Sequence, residues 1–526
     1  MIKKTYKLFL AIILILFSFF SPSVVLAENS LIELFQERTK LSFLANSDVD
    51  MLVFYSEYDY SKDAKINYNP SANQLIEKFN HIEELYSQSN VAVVYFDCRN
   101  ILREMKPNDF YYMMFAYKLA GMGFFSLAQE AVSKIKDLEI WASHIETIKT
   151  NMFPVIPLTV TEEIFMSELI SNITFKNLTE ESINKLQKSD KTLYNSDYAL
   201  YIRALAYYTE KNYKKALSEI EKAISKNPDN INYLKCKSEI LNASGDKKEA
   251  LKTLNSIDER NLIFIETVKS IDKVRYYILS QSGKNENENK YNLAYYFYLN
   301  KDYQRAIKEL SALVAKGELK KSPQLLGKIY LLTGKTENAE KLYEKCILKN
   351  KKCAFAYKGQ GDILLSKKEY EKAFEKYKIA YKYGKKDYEI LVALIVSAIK
   401  TDKKTEKYKY VIKLRKLAPN NFKTLYLCSK ITGDKDNHLL KAALKYNPFY
   451  PEGWLDLAQI AYDGDKLDEF EQYVNTAAFL TKNNPRYFYY KSLVNSSKND
   501  IQTALADIKQ AKKLSVKKEY EINEQL

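Results

Sequence analysis

Apolar and small residues recur along much of this chain in steps of three and four, broken by short polar turns. In Leu326-Gly327-Lys328-Ile329-Tyr330 a small residue is followed three positions on by an aromatic. Nine residues later comes Ala339, then Tyr343 at plus four and Cys346 at plus three. On a helix such steps share one face, and the intervening Thr333-Gly334-Lys335-Thr336 reads as a turn. The pattern predicts a helical hairpin, with Gly327 and Ala339 small where its two helices meet.

The same spacing returns as Ala204, Tyr207, Ala216, Ile220, Ala223 and as Ser238, Leu241, Ala250, Leu254, Ile257. It reads Ala294, Phe297, Ala306, Leu310, Leu313, then Gly361, Leu364, Ala373, Tyr377, Ala380. Later copies are Ala458, Ala461, Phe470, Val474, Ala477 and Ser492, Asn495, Ala504, Ile508, Ala511, with a degenerate one at Ile395, Ala398, Lys407, Val411, Leu414. The leading residues 204 and 238 are 34 apart, 294 and 327 are 33 apart, and 327, 361 and 395 continue at 34. Ser429 opens the next unit, whose turn around Gly433-Asp434 is short, so Ala458 follows after 29. One hairpin cannot bury both its faces, so a fixed period of this length predicts an array.

From about residue 197 to 515 the array resembles the tetratricopeptide repeat (TPR) family. Trp454 with Leu457 and Ala458, Tyr357 with Gly361, Leu326 with Gly327 and Tyr330, and Ala216, Ala223 and Pro228 match its pattern. Asn227-Pro228, Ala418-Pro419, Asn447-Pro448 and Asn484-Pro485 are exit turns. Arg203, Lys237 and Lys491 stand where the family usually has Leu, and Lys407 where it has a packing Ala, so those units are expected to pack less tightly. The resemblance implies an all-α fold, a right-handed α-solenoid of eight or nine stacked helix-turn-helix hairpins after residue 197.

Between 257 and 287 the spacing grows by one extra helix, Leu262 to Ser280, and the polar tract Gln281 to Asn289 reads as a mobile loop. This divides the array into a first stack at 161–286 and a second at 287–526. Upstream, 28–160 forms a more divergent helical region. Ala116, Leu119, Ala128, Val132 and Ile135 keep the spacing and predict a repeat-like hairpin at 109–138. Asn73 to Ser87 and Val91 to Lys106 read as another hairpin, with a buried strand at Val91 to Phe96 as the alternative. Thr159 and Glu162 form a capping box, and the polar, Tyr-rich stretch from Tyr55 to Pro70 reads as a loop.

The first residues change the picture of where the chain acts. Lys3, Lys4 and Lys7 precede an apolar run from Leu8 to Phe20, then Val25-Leu26-Ala27. That is a signal peptide over residues 1–27, cleaved before Glu28; a retained anchor is the alternative, disfavoured because the run is short for a full span. The mature chain is then expected to be exported (periplasmic, cell-surface or secreted) with no membrane span. The 526 residues carry a net charge of +15, or about +12 without the leader, spread as lysine doublets. Such charge suits a solvated surface or an acidic partner, and nucleic acid is disfavoured for an exported chain. Five cysteines are too few and too scattered for a disulfide framework. Cys346 and Cys353 alone could meet across a turn, or serve as small buried residues.

No catalytic, cofactor or metal constellation is expected. The three histidines, His81, His144 and His438, lie far apart in an array. Gly283-Lys284 lacks the flanking glycines of a phosphate loop, and Leu467 falls where a calcium loop from Asp463 needs an oxygen ligand. Binding suits the architecture better. The TPR register places Tyr198, Tyr201 and Tyr208 in one unit, and Tyr291, Tyr295 and Tyr298 in another, on the face that lines the family's concave groove. Lys235, Lys328 and Lys358 share that face. Against this, 43 tyrosines in a lysine-rich chain produce such stripes without any site. The expectation is a non-catalytic scaffold for a protein or peptide partner. Alternatives are a carbohydrate-binding envelope protein, in which Tyr stacks on sugars, and an enzyme accessory centred on the N-terminal region.

Overall fold

A computed structural model describes residues 81–514, apart from positions 83, 89, 105–108, 177, 259–264, 283–284, 318–320, 433–436 and 482–483. The leader at 1–27, the loop at 55–70, most of the first helix expected from Asn73, the Gly283-Lys284 pair and the Gly433-Asp434 turn lie outside the described residues. Those described are helical, with no strand among them. They divide into two compact units: residues 81–136 with 144–278, and residues 137–143 with 279–514.

The N-terminal helices are α1 (Val91–Glu104), α2 (Asp109–Met122), α3 (Phe125–Ser133), α4 (Leu138–Met152), α5 (Val160–Lys176), α6 (Thr179–Gln187) and the single turn α7 (Lys191–Tyr194). Two hairpins follow, α8 (Asp197–Thr209) with α9 (Tyr213–Lys226) and α10 (Ile231–Ser244) with α11 (Lys247–Asp258), and then the extra helix α12 (Ile265–Ser282). Through Ile278, α12 packs Ile271, Val274 and Ile278 onto Leu241, Leu254 and Ile257, closing the core of the last unit 1 hairpin. The run Val91 to Phe96 is helical: Val91, Val94 and Tyr95 are buried while Val93 and Phe96 are exposed, the spacing of a helix and not of a strand.

Unit 2 continues with α13 (Glu286–Leu299) and α14 (Tyr303–Ala315), α15 (Ser322–Leu332) and α16 (Thr336–Lys349), α17 (Ala354–Ser366) and α18 (Tyr370–Tyr383). Next come α19 (Tyr388–Lys400) and α20 (Lys404–Leu417), α21 (Phe422–Thr432) and α22 (His438–Tyr446), α23 (Pro451–Asp463) and α24 (Leu467–Leu480), α25 (Pro485–Ser497) and α26 (Ile501–Leu514). Within each unit the hairpins stack side by side as an α-solenoid. Residues 286–289 form the first turn of α13 and not a loop. Asn285 caps that turn, its side-chain oxygen accepting from the Asn287 and Glu288 amides at 2.9 and 3.4 Å.

The repeat is written into the turns as well as the cores. Between paired helices one residue takes the left-handed conformation: Lys211, Gly245, Lys301, Gly334, Lys368, Asp402, Asp465 or Asn499. An Asn or Asp often follows to cap the second helix, as Asn212 does for Lys215 N–H and Asp302 for Arg305 N–H. The small positions predicted at the helix crossings are sealed. Ala204, Ala216, Ala294, Ala306, Ala339, Ala373 and Ala458 are each 0% exposed.

The polar residues at Leu positions are handled by pairing. Arg203 is buried, its Nε donating to Glu219 Oε2 at 2.6 Å and its guanidinium lying 4.1 Å from the Tyr194 ring centroid. Lys491 meets Asp507 at 2.7 Å and Lys237 meets Glu221 at 2.9 Å. Opposite the degenerate Lys407, α19 is apolar all round, with Ile390 through Val396 buried.

Candidate functional site

In unit 2 the first helices of five successive hairpins, α13, α15, α17, α19 and α21, line one cavity of about 510 Å³. Equivalent positions recur around it at the repeat step: Gln324 and Lys358, Lys328 and Asp362, Tyr388 and Phe422, and Phe355, Glu389 and Lys423 are all spaced by 34. The period that builds the fold therefore also aligns the lining.

The lining is aromatic and charged. The Lys321 ammonium sits 4.1 Å from the Tyr291 ring centroid, and that of Lys328 sits 5.2 Å from the Tyr298 ring. Lys358 pairs with Asp362 at 2.9 Å, one helical turn on, while the Tyr377 hydroxyl donates to the other carboxylate oxygen at 2.9 Å. Burial pushes the Asp362 carboxyl above its ordinary range, against the pull of Lys358 and Tyr377 in the other direction. Lys423 reaches Glu389 at 3.3 Å. The Tyr388 hydroxyl donates to Asn421 at 2.5 Å, and burial holds its phenol well above the usual tyrosine range. Asp387 caps α19 through Ile390 N–H at 3.2 Å. Four lysines and three carboxylates thus share the lining with Tyr291, Tyr295, Phe355, Tyr388 and Phe422. This arrangement offers ring faces, ammonium donors and carboxylate acceptors.

Of the residues expected in a groove, Tyr291, Tyr295, Lys328 and Lys358 come together here. Tyr298 stands beside them, its ring 5.5 Å from that of Tyr295. The other four are elsewhere. Tyr198, Tyr201, Tyr208 and Lys235 belong to unit 1 and are buried there, each 9% exposed or less. Phe125 of α3 meets the Tyr198 ring edge-on at 5.1 Å, and Tyr201 packs at 5.1 Å on Tyr233. The chain's own upstream helix α3 covers Tyr198, and Tyr208 packs at 6.0 Å on Tyr213 of α9, so these tyrosines are buried against the chain itself. Sequence reasoning missed Phe355, Tyr388, Glu389, Phe422 and Lys423: they sit in the first turns of α17, α19 and α21, in two repeat phases (355, 389, 423 and 388, 422) that hold none of the expected residues.

Three family models match the array. A tetratricopeptide repeat model covers residues 197–230, the Tetratricopeptide repeat protein 21 C-terminal ARM domain covers 239–406, and a second tetratricopeptide repeat model covers 437–485. The chain carries tetratricopeptide repeats. Such repeats form scaffolds for protein–protein interaction. Among solved structures, the chain is similar to that of the APC/C hetero-tetramer Cut9-Hcn1, at 13% identity over 84% of this chain and 94% of that one (TM-score 0.39). It is also similar to Pseudomonas aeruginosa pilF, at 18% identity over 44% of this chain and 97% of that one (TM-score 0.24). A tetratricopeptide repeat protein from Parabacteroides merdae matches at 14% identity over 53% of this chain and 98% of that one (TM-score 0.27). No curated protein matches in sequence. Among the described residues, no helix is long and apolar enough to cross a membrane.

Proposed function

We propose that the inner face of unit 2 holds a segment of a partner protein, and that the chain is a non-catalytic, exported scaffold. The observation that carries this reading is the shared cavity, lined by equivalent faces of five successive inner helices. A segment laid along it meets a similar face every repeat. Tyr291, Tyr295 and Tyr388 give it broad, stiff contact area with a polar tip. Lys321 and Lys328 lie over rings, where an incoming carboxylate gains an ammonium donor; an acidic segment is therefore favoured, with binding that weakens as salt rises.

The partner is to be identified by photo-crosslinking in the native cell from Gln324, a lining position, and its affinity then measured with purified proteins. Tyr291→Ala combined with Tyr295→Ala is expected to weaken binding at least ~10-fold, as for central aromatic anchors. An unchanged affinity removes the groove from the interaction. Retention of the chain on purified wall polysaccharide at low salt, lost in the same double variant, would instead assign the rings to a glycan. Export is checked by sequencing the mature N-terminus, expected at Glu28.

A further inference from the structure

Unit 2 contains a thiol pair that the groove does not explain. Cys346 lies in the last turn of α16 and Cys353 is the N-cap of α17. Both thiols are free, and both belong to one packed cluster with Tyr343 and Ile363. The intervening turn is fixed by its own bonds: Asn350 N–H donates to Cys346 O at 2.9 Å and Cys353 N–H to Asn350 O at 3.0 Å. The Asn350 side chain also accepts from Lys352 N–H at 2.9 Å. The sulfurs are thus brought together by the repeat's own exit turn. Asn350, Lys351 and Lys352 are exposed, and Cys346 is half-buried, so a small reagent has a path to the pair.

We propose that Cys346 and Cys353 form a redox modification site, closing to a disulfide by exchange with a small-molecule disulfide such as oxidised glutathione. The sulfurs are chemically unequal. Cys353 stands beside the Cys346 thiol and at the N-terminus of α17, and these neighbours increase its acidity. Cys346 is correspondingly held as the thiol. The Cys353 thiolate attacks one sulfur of R–S–S–R, forming a mixed disulfide and expelling R–S⁻. Cys346 gives its proton to that R–S⁻ and then, as the thiolate, attacks Cys353 Sγ and expels the second R–S⁻. Two cysteine thiols are oxidised, one disulfide is reduced to two R–SH, and the two thiol protons end on those products.

The other cysteines lack this chemistry. Cys98 and Cys236 are buried with their acidity suppressed, Cys98 to about 12, and burial also pushes Cys428 up. Closure ties the end of α16 to the start of α17. Tyr343 stands three residues before Cys346, and Phe355 and Lys358 follow Cys353, so the tie fixes two walls of the cavity. The proposal rests on the thiol geometry and stands whatever the cavity holds.

The test uses the folded full-length chain in glutathione buffers of graded oxidation, quenched with N-ethylmaleimide and digested for mass spectrometry. A peptide linked through Cys346 and Cys353 is expected to rise with oxidation, while Cys98, Cys236 and Cys428 stay as thiols. Cys346→Ser is expected to stall as a glutathione adduct on Cys353. Oxidised wild type should unfold at higher urea than reduced, with no such difference in the variant. The proposal is overturned by wild type in which both thiols stay unmodified at every ratio. A wild-type adduct that persists on either cysteine without closure, or a link between two chains, overturns it equally.

Discussion

The ring of Tyr343 packs against the bare Cα of Gly359: a Cβ added there would stand 2.2 Å from Tyr343 Cζ. The other side of the ring is held by Gly327, where an added Cβ would stand 2.5 Å from Tyr343 Cε1. One tyrosine of α16 is therefore wedged between two glycines of the inner helices α15 and α17. In open helix, Gly→Ala gains up to ~1 kcal/mol of propensity. Here the clash is with a buried, stiff ring, and overpacking of this kind costs about 1–3 kcal/mol. Gly359→Ala is expected to lower the urea midpoint of unfolding, and Tyr343→Leu in the same chain to restore part of it. A stabilised Gly359→Ala would show that the ring moves freely and that the wedge is not structural.

Arg203 and Glu219 make a second separable case. Their side chains are only 7% and 12% exposed, and Arg203 also donates to Tyr194 O at 2.8 Å. Removing one partner of a buried pair leaves the other charge uncompensated, at a cost of roughly 3 kcal/mol, whereas replacing both can be nearly neutral. Glu219→Gln alone is expected to be markedly destabilising. Arg203→Leu, which restores the usual TPR residue, should recover most of that loss when combined with it. Denaturant unfolding of the two single variants and the double variant measures the coupling; simple additivity would mean that the pair contributes nothing.

These two sites show what the sequence made legible. The 34-residue step predicts the hairpins, the sealed alanines and a small residue at Gly327, because those depend on residues a few turns apart; it does not single out Gly359. It expected looser packing at Arg203, Lys237 and Lys491. Each instead meets an acid 16 residues away across a helix pair, and a pattern that scores Leu positions one at a time does not see such partners. Four of the nine expected groove residues turn on something no local pattern carries. Tyr198 is covered by Phe125, 73 positions upstream, so its stripe looks the same in sequence as that of Tyr291 and Tyr295. The polar tract from Gln281 to Asn289 reads as a loop in sequence because its Asn and Glu content outweighs the capping role of Asn285.

The last prediction concerns pH. Glu163 of α5 accepts from Ser126 N–H and Ser126 Oγ–H, both at 2.7 Å. Those bonds favour the carboxylate, yet burial outweighs them and pushes its pKa from 4.5 up to about 7. Burial raises Glu452 of α23 to about 7 as well. An acid whose folded value lies above its unfolded one binds more proton in the native state between the two values. Its contribution is fully present below about 4.5 and is lost as pH rises through about 7. Carboxylates held low by lysines, such as Glu286 and Glu369, titrate below their ordinary range and leave this window untouched. Urea midpoints of the wild type are therefore expected to fall between pH 5 and pH 7.5. Glu163→Gln and Glu452→Gln should each flatten the slope, since a neutral amide has no proton to lose, and both should stabilise the chain more at pH 7.5 than at pH 5. Gln variants that follow the wild-type profile in parallel would show that these carboxyls are hydrated and ionise as ordinary surface groups do.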